Sequence, residues 1–368
     1  MRLLLSLLVF VALPIASAQT SPLVIAYVFP QNTPIAPNQI DPHAIDRVNY
    51  AFSAIAHDRM VVGSPQDAAN FAVLTGLRDK NSHLAILVSV GGWLGSGQFS
   101  HMAATPSRRA RFVRSVMDFL ARYHLDGLDV DWEYPGQPGS GHAYSRDDRP
   151  NYTEMLKELR SRFNEERRRT GKRLYLSVAA GATNDFLAHT EMNRVAQYVD
   201  TVNLMTYDYY EPGSEGITGH HAPLYRNPRD PEGISTDGSV RAFEQAGVPA
   251  RKIVIGIPFY GHVWKDVPDL QHGLYEPGKA PANGGAPYSQ IESTMVGHGF
   301  VRTWDAAAHA PSLYNPQTHT FVSYDDSQSV TEKCRYVLQN KLAGVMFWYY
   351  GADNGVLLRS IDAAFNHK

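Results

Sequence analysis

Leu125-Asp126-Gly127-Leu128-Asp129-Val130-Asp131-Trp132-Glu133-Tyr134-Pro135 is the stretch on which the reading of this chain turns. It sets Asp126, Asp129, Asp131 and Glu133 into a run otherwise built of strand-prone apolar residues, and acids buried in a strand are costly unless the strand ends at a polar site. Side chains on a strand alternate faces, so Asp129, Asp131 and Glu133 point one way while Val130 and Trp132 point the other. The result is a ladder of carboxyl groups on one face. Such close neighbours cannot all ionise cheaply, so the ladder is expected to keep a proton near neutral pH, which is what a general acid needs. A divalent-metal site is the competing use of these acids. A straight strand, however, lacks the loop that wraps Ca²⁺ and the waters and phosphates of Mg²⁺ sites. Trp132, on the opposite face, is expected to pack between sheet and helices.

Working outward, short apolar and β-branched runs recur at 23–29, 47–55, 84–92, 125–134, 174–181, 199–208, 253–261 and 344–350. They are apolar on both parities, as strands covered on both faces are. Helix-like segments lie between them, among them 107–123, 152–170, 237–245 and 329–340. Eight strands alternating with helices are the requirement of an α/β fold of the (β/α)8 TIM barrel kind. In such a barrel catalytic groups collect at the C-terminal ends of the strands, which puts Glu133 uppermost with Asp131 and Asp129 stepping down beneath it. The rhythm breaks over 262–323, rich in Pro, Gly, Tyr and His, with strand-like pieces at 299–304 and 320–324. This is read as a small α+β insertion between the seventh strand and the seventh barrel helix, walling one side of a cleft.

Residues 1–18 carry a basic start at Arg2, an apolar run and the small-residue ending Ala16-Ser17-Ala18, the pattern of a secretory signal cleaved before Gln19. The run is too short for a membrane span and is broken by Pro14. Residues 19–368 are then one catalytic barrel, and the expected location is outside the cytoplasm, periplasmic or extracellular. A net charge of -2 with the charges spread along the chain argues against nucleic acid or an anionic membrane as a partner. Arg167-Arg168-Arg169 reads as the solvated end of a helix. Cys334 is the only cysteine, so no intramolecular disulfide holds the exported chain together, and it reads as a small buried residue. Aromatics make up 11% of the chain, with 20 tyrosines. Sugar rings stack on such faces, and so does an ordinary core. The glycines of 91–97 lack the spacing of a phosphate loop, and His220-His221 reads as a loop pair near the rim.

The Asp126-xx-Asp129-x-Asp131-x-Glu133 pattern resembles the signature of family 18 glycoside hydrolases, the family of many chitinases. Further segments agree in the family's order. Ser89-Val90-Gly91-Gly92-Trp93 is similar to the S-x-G-G motif ending the third strand, whose serine supports the deeper aspartate. Met205-Thr206-Tyr207-Asp208 is similar to the M-x-Y-D motif ending the sixth, and Gly344-Val345-Met346-Phe347-Trp348 resembles the eighth strand, whose tryptophan floors the subsite of the reacting sugar. Ile257-Pro258-Phe259-Tyr260-Gly261 and Tyr324-Asp325-Asp326 bracket the insertion, as in members that carry one. One departure is visible: many members have Arg after Tyr-Gly where this chain has His262, so a charged contact at the cleft wall is expected to change.

The resemblance implies hydrolysis of β-1,4-linked N-acetylglucosamine polymers with retention and with help from the substrate. Glu133 would protonate the glycosidic oxygen while the 2-acetamido carbonyl attacks the anomeric carbon. Asp131 would turn from Asp129 to the acetamido N–H, Tyr207 would bond the acetamido oxygen, and Asp208 would tune the acid or position the sugar. Trp348, with Tyr27, Phe52, Trp93, Met205 and Tyr260, would line the site, with Ser89 and Asp126 supporting. No metal or organic cofactor is implied, and the carbohydrate is the one partner expected of a monomeric chain. Hydrolysis of N-glycan cores or of a peptidoglycan-type polymer shares these motifs. A non-catalytic lectin shares the barrel, but the intact Glu133 argues against it.

Overall fold

The computed structural model describes residues 21–213, 216–282 and 284–365. The signal-like segment lies outside them. Eight parallel strands close on themselves: β1 (Leu23–Val28), β2 (Arg47–Ala56), β3 (Ala85–Gly91), β4 (Gly127–Asp131), β5 (Tyr175–Gly181), β6 (Thr201–Met205), β7 (Ile253–Pro258) and β8 (Gly344–Trp348). Closure is direct, since β1 pairs in parallel with both β2 and β8.

Alternation along the strands divides the apolar residues into two populations. Val24, Ala26, Leu128, Val130, Val345 and Phe347 face outward into one large core shared with the helices. Ile25, Tyr27, Val254 and Met346 face inward and form a small separate cluster inside the barrel. The inward positions of β4 hold Asp129 and Asp131 instead, so the barrel axis is polar around that strand. Trp132 is buried in the outer core, stacked on Phe99 at 5.0 Å.

The helices have local reasons to start where they do. Thr105 accepts from Arg108 N and is followed by Pro106 at the first turn of Pro106–Arg122, the preferred cap and first residue. Asp326 and Ser329 form a reciprocal capping box on Ser327–Asn340. Helix Asp148–Thr170 ends on Gly171 in the left-handed conformation, and Arg167, Arg168 and Arg169 are exposed in its last turn.

Between β7 and Ser327–Asn340 the chain builds a second, antiparallel sheet of five strands. Their spatial order is Gly285–Pro287, Tyr260–Trp264, Thr320–Ser323, Ala310–Asn315, Val301–Asp305. Helix Tyr288–Thr294 packs beside it. Cys334 is fully buried, and burial pushes its thiol up to about 12, so it stays a protonated, inert group. Among the described residues no helix is long and apolar enough to cross a membrane.

Candidate active site

The register of three adjacent strands fixes the base of the site. Ser89 on β3, Asp129 on β4 and Ser177 on β5 stand level with one another. Asp129, completely buried, accepts from Ser89 Oγ at 2.8 Å, Ser177 Oγ at 2.6 Å, Tyr27 Oη at 2.9 Å and Asn203 Nδ2 at 3.3 Å. Burial raises its pKa above the usual range, and Ser177, Ser89 and Tyr27, together with the charge of Arg47, pull it back. Arg47 is itself buried and donates to Thr201 Oγ1 at 3.1 Å.

Asp131 sits one step up, 4% exposed, and its Oδ1 has no hydrogen-bond partner among the described residues. Burial, then the charges of Glu133 and Asp129, push it well above the usual carboxylate range. At the top Glu133 is half-buried, and its pKa is raised to about 7 by burial, opposed by a hydrogen bond from Tyr134 and aided by Asp208 and Glu211. Strand β4 ends at Asp131 and not at the expected 134. Glu133 N donates to Ser96 Oγ at 2.9 Å instead of to a neighbouring strand, so the acid stands on backbone that has left the sheet. Gly91, at φ +112°, permits this closure: a Cβ there would lie 2.1 Å from Asp131 O.

On the far wall, Tyr207 and Asp208 follow β6. A Cβ at Gly256 would lie 2.6 Å from the Tyr207 ring, so this glycine makes the ring's seat. Asp208 Oδ1 accepts from Tyr260 Oη at 2.6 Å and bonds His262 Nε2 at 2.8 Å. Burial pushes Asp208 up, but His221 and His262 outweigh it and hold the carboxyl well below the usual range, so it is ionised. The departure at His262 therefore keeps a polar contact at the wall, made by imidazole. His221 is also at this site: fully buried, with Nδ1 3.6 Å from Asp208 Oδ1, and depressed to about 4 by burial. His220 turns away to Asp305.

Trp348 caps β8, half-buried, stacked with Phe52 at 5.7 Å and Phe29 at 5.4 Å, and Met205 packs against the same inner cluster. Trp93 is 49% exposed at the rim, edge-on to Tyr134 at 6.4 Å.

Two expectations need correction. Tyr27 does not line the cleft: it is 2% exposed, and its hydroxyl is spent on Asp129. Asp126, expected to support the site, does not reach it. It precedes β4 at the opposite end of the barrel, ion-paired with Arg78 and with Lys172 at 3.3 Å while accepting Ile86 N at 2.9 Å. Sequence reasoning missed Ser96, Ser177, Asn203, Arg47 and His221. For Ser177 and Asn203 a signal existed, a lone polar residue on the inward parity of an apolar run. For His221 there was none, because a loop carries it.

A closed barrel with an acid of raised pKa above two buried aspartates, and a half-buried tryptophan at the end of β8, is the arrangement of a glycosidase. Comparison with known proteins agrees. The family described as Glycosyl hydrolases family 18 matches residues 24–353. Chitinase A1 of Niallia circulans is 34% identical over 308 residues, 80% of this chain and 44% of that one. Chitotriosidase-1 of Mus musculus is 31% identical over 327 residues, 86% of this chain and 69% of that one. The solved structure of a family 18 N-acetylglucosaminidase from Paenibacillus barengoltzii has a TM-score of 0.86 at 38% identity, covering 93% of this chain and 99% of that one. The chain belongs to glycosyl hydrolase family 18. It spans less than half the length of the Niallia circulans relative.

Proposed function

We propose that this chain hydrolyses β-1,4-linked N-acetylglucosamine chains, chitin or its oligomers, with retention of configuration and with the substrate's acetamido group as nucleophile. The observation that carries the reading is the charge arrangement at the end of β4: Glu133, just past the strand and with a pKa of about 7, stands above Asp131, whose pKa is higher than usual. One protonated acid is thus available, but no free carboxylate beside it. The ionised Asp208 is already engaged by Tyr260 and His262, so it is a poor nucleophile. A retaining glycosidase without a second free carboxylate must draw its nucleophile from the substrate.

In this reading Glu133 gives its proton to the glycosidic oxygen as the acetamido carbonyl oxygen bonds to the anomeric carbon and the glycosidic bond breaks. The electron pair of that bond leaves with the departing sugar, and an oxazolinium ion remains. Asp131, with its unpartnered Oδ1, accepts the acetamido N–H and orients the acetamido group for attack. Glu133, now a carboxylate, takes a proton from water, whose oxygen reopens the ring. Trp348 supports the reacting sugar from below.

The test is mass-spectrometric turnover of N-acetylglucosamine oligomers by wild type and Glu133→Gln, with a fully deacetylated oligomer as control. Cleavage of acetylated chains only, lowered about 10²- to 10⁴-fold in the variant, is the expected result. Binding without cleavage would overturn it in favour of a lectin. A second reading within the same chemistry, release of single N-acetylglucosamine units from chain ends, is favoured by the similarity to the Paenibacillus barengoltzii N-acetylglucosaminidase. Product lengths distinguish the two. Export belongs to the proposal as well: secreted protein is expected to begin at Gln19 on N-terminal sequencing.

A further inference from the structure

Asp208, His221 and His262 form a cluster that hydrolysis uses only in part. His262 Nε2 lies 2.8 Å and His221 Nδ1 3.6 Å from Asp208 Oδ1, and one ligand atom from each of the three residues falls within 4.8 Å of the others. Both ring nitrogens of the fully buried His221, and Nδ1 of His262, lie beyond hydrogen-bond distance of any partner among the described residues. Buried polar atoms left unpaired are costly, and each asks for an explanation. Neither ring is free to wander away. His221 N donates to Ser323 Oγ at 2.8 Å and its carbonyl accepts Tyr209 N at 3.1 Å. His262 is held in a strand directly opposite Ser323.

We propose that Asp208, His221 and His262 bind a divalent transition-metal ion, best fitted by Zn²⁺, and that the bound ion inhibits the hydrolase. Two imidazoles and one carboxylate, with a fourth position left to water, are a ligand set of open zinc sites. Imidazole selects such ions over Ca²⁺ and Mg²⁺. Around a tetrahedral ion with bonds of ~2.0–2.1 Å the ligand atoms stand ~3.3 Å apart, and the separations of 2.8 and 3.6 Å bracket that value. Asp208 keeps 35% of its side chain exposed, which gives the ion a way in and room for a water ligand.

Inhibition follows from charge. A cation on Asp208 takes the oxygen that Tyr260 Oη now bonds at 2.6 Å and puts positive charge on the wall of the site that is otherwise negative. The ion is an inhibitor and not a cofactor. Its binding stands apart from the catalytic reading, whereas its effect on turnover rests on it.

Isothermal titration of the metal-free chain with ZnCl₂, alongside turnover of N-acetylglucosamine oligomers at the same Zn²⁺ concentrations, tests both halves. One Zn²⁺ per chain is expected, with the midpoint of inhibition at the dissociation constant and full recovery on adding EDTA. His262→Gln and His221→Asn, checked for folding by circular dichroism, are each expected to weaken binding at least about tenfold. Co²⁺ on the wild type is expected to give the visible absorption of a tetrahedral site, lost in His262→Gln. No uptake by the folded wild type, or unchanged uptake by both variants, overturns the site. Zn²⁺ bound at this site with turnover unchanged overturns the inhibition. If the chain cuts none of the oligomers, the titration and the Co²⁺ spectrum still decide the site.

Discussion

Glu133 is where pH acts most directly on this molecule. Its folded pKa of about 7 lies above the usual 4.5 because burial disfavours the charged form. Turnover is expected to fall as pH rises through about 7, roughly tenfold per unit on the alkaline limb, in a kcat/KM profile, which reports the free enzyme. Stability follows the same proton. A raised folded pKa contributes stability that is complete below 4.5 and is lost as pH rises through about 7. Gln carries no such charge, so Glu133→Gln is expected to leave urea stability unchanged at about pH 4 and to raise it by on the order of 2 kcal/mol at about pH 8. Trp348 makes a different residue-scale prediction. Trp348→Ala is expected to weaken binding of a chitin tetramer by about 1–3 kcal/mol, about fivefold to 150-fold, with an unchanged far-UV spectrum. Unchanged affinity in calorimetry would remove Trp348 from the sugar floor.

At the scale of one element, β4 shows how much a strand's sequence says by itself. Alternation assigned Asp129 and Asp131 to one face and Trp132 to the other, and the structure places them so. The place where alternation stops was not legible: the ladder ends at Asp131 because Ser96, from a loop after β3, takes Glu133 N. The other end of β4 was misread for a related reason. A carboxylate in sequence contact with the ladder can face the other end of the barrel, and Asp126 does, tying β4 to Arg78, Lys172 and Ile86 N. Asp126→Ala is therefore expected to cost about 1–3 kcal/mol in urea denaturation, since it leaves a buried N–H unpaired, while kcat/KM stays within about twofold. A loss of activity on the scale of Glu133→Gln would tie Asp126 to the catalytic groups after all.

Across the whole molecule, the second sheet is joined back to the barrel by a buried pair. Lys333 of helix Ser327–Asn340 and Asp325, just past strand Thr320–Ser323, are ion-paired at 0% and 1% side-chain exposure. Lys333→Met alone strands a buried carboxylate and is expected to cost about 3–5 kcal/mol. Adding Asp325→Leu is expected to recover most of it, which a double-mutant cycle in urea measures. The proposed mechanism uses only protein side chains and the substrate's own acetamido group, so turnover is expected to survive EDTA, or to rise where trace zinc occupies the histidines. A loss restored by Ca²⁺ or Mg²⁺ would overturn that mechanism.

By itself the sequence determined the barrel, the inward-facing aspartates of β4 and the outward Trp132. Each of these depends on strand period and order, which are properties of a contiguous segment. Only the tertiary structure decided which polar groups would meet. The Asp208–His262 contact joins residues 54 apart and Tyr27 reaches Asp129 across 102. Barrel closure and the second sheet bring these groups together, and pattern along a chain carries no distance across it. The protonation of Glu133 belongs to the same category: residue types supplied the carboxyl, but burial and the opposing wall set its pKa.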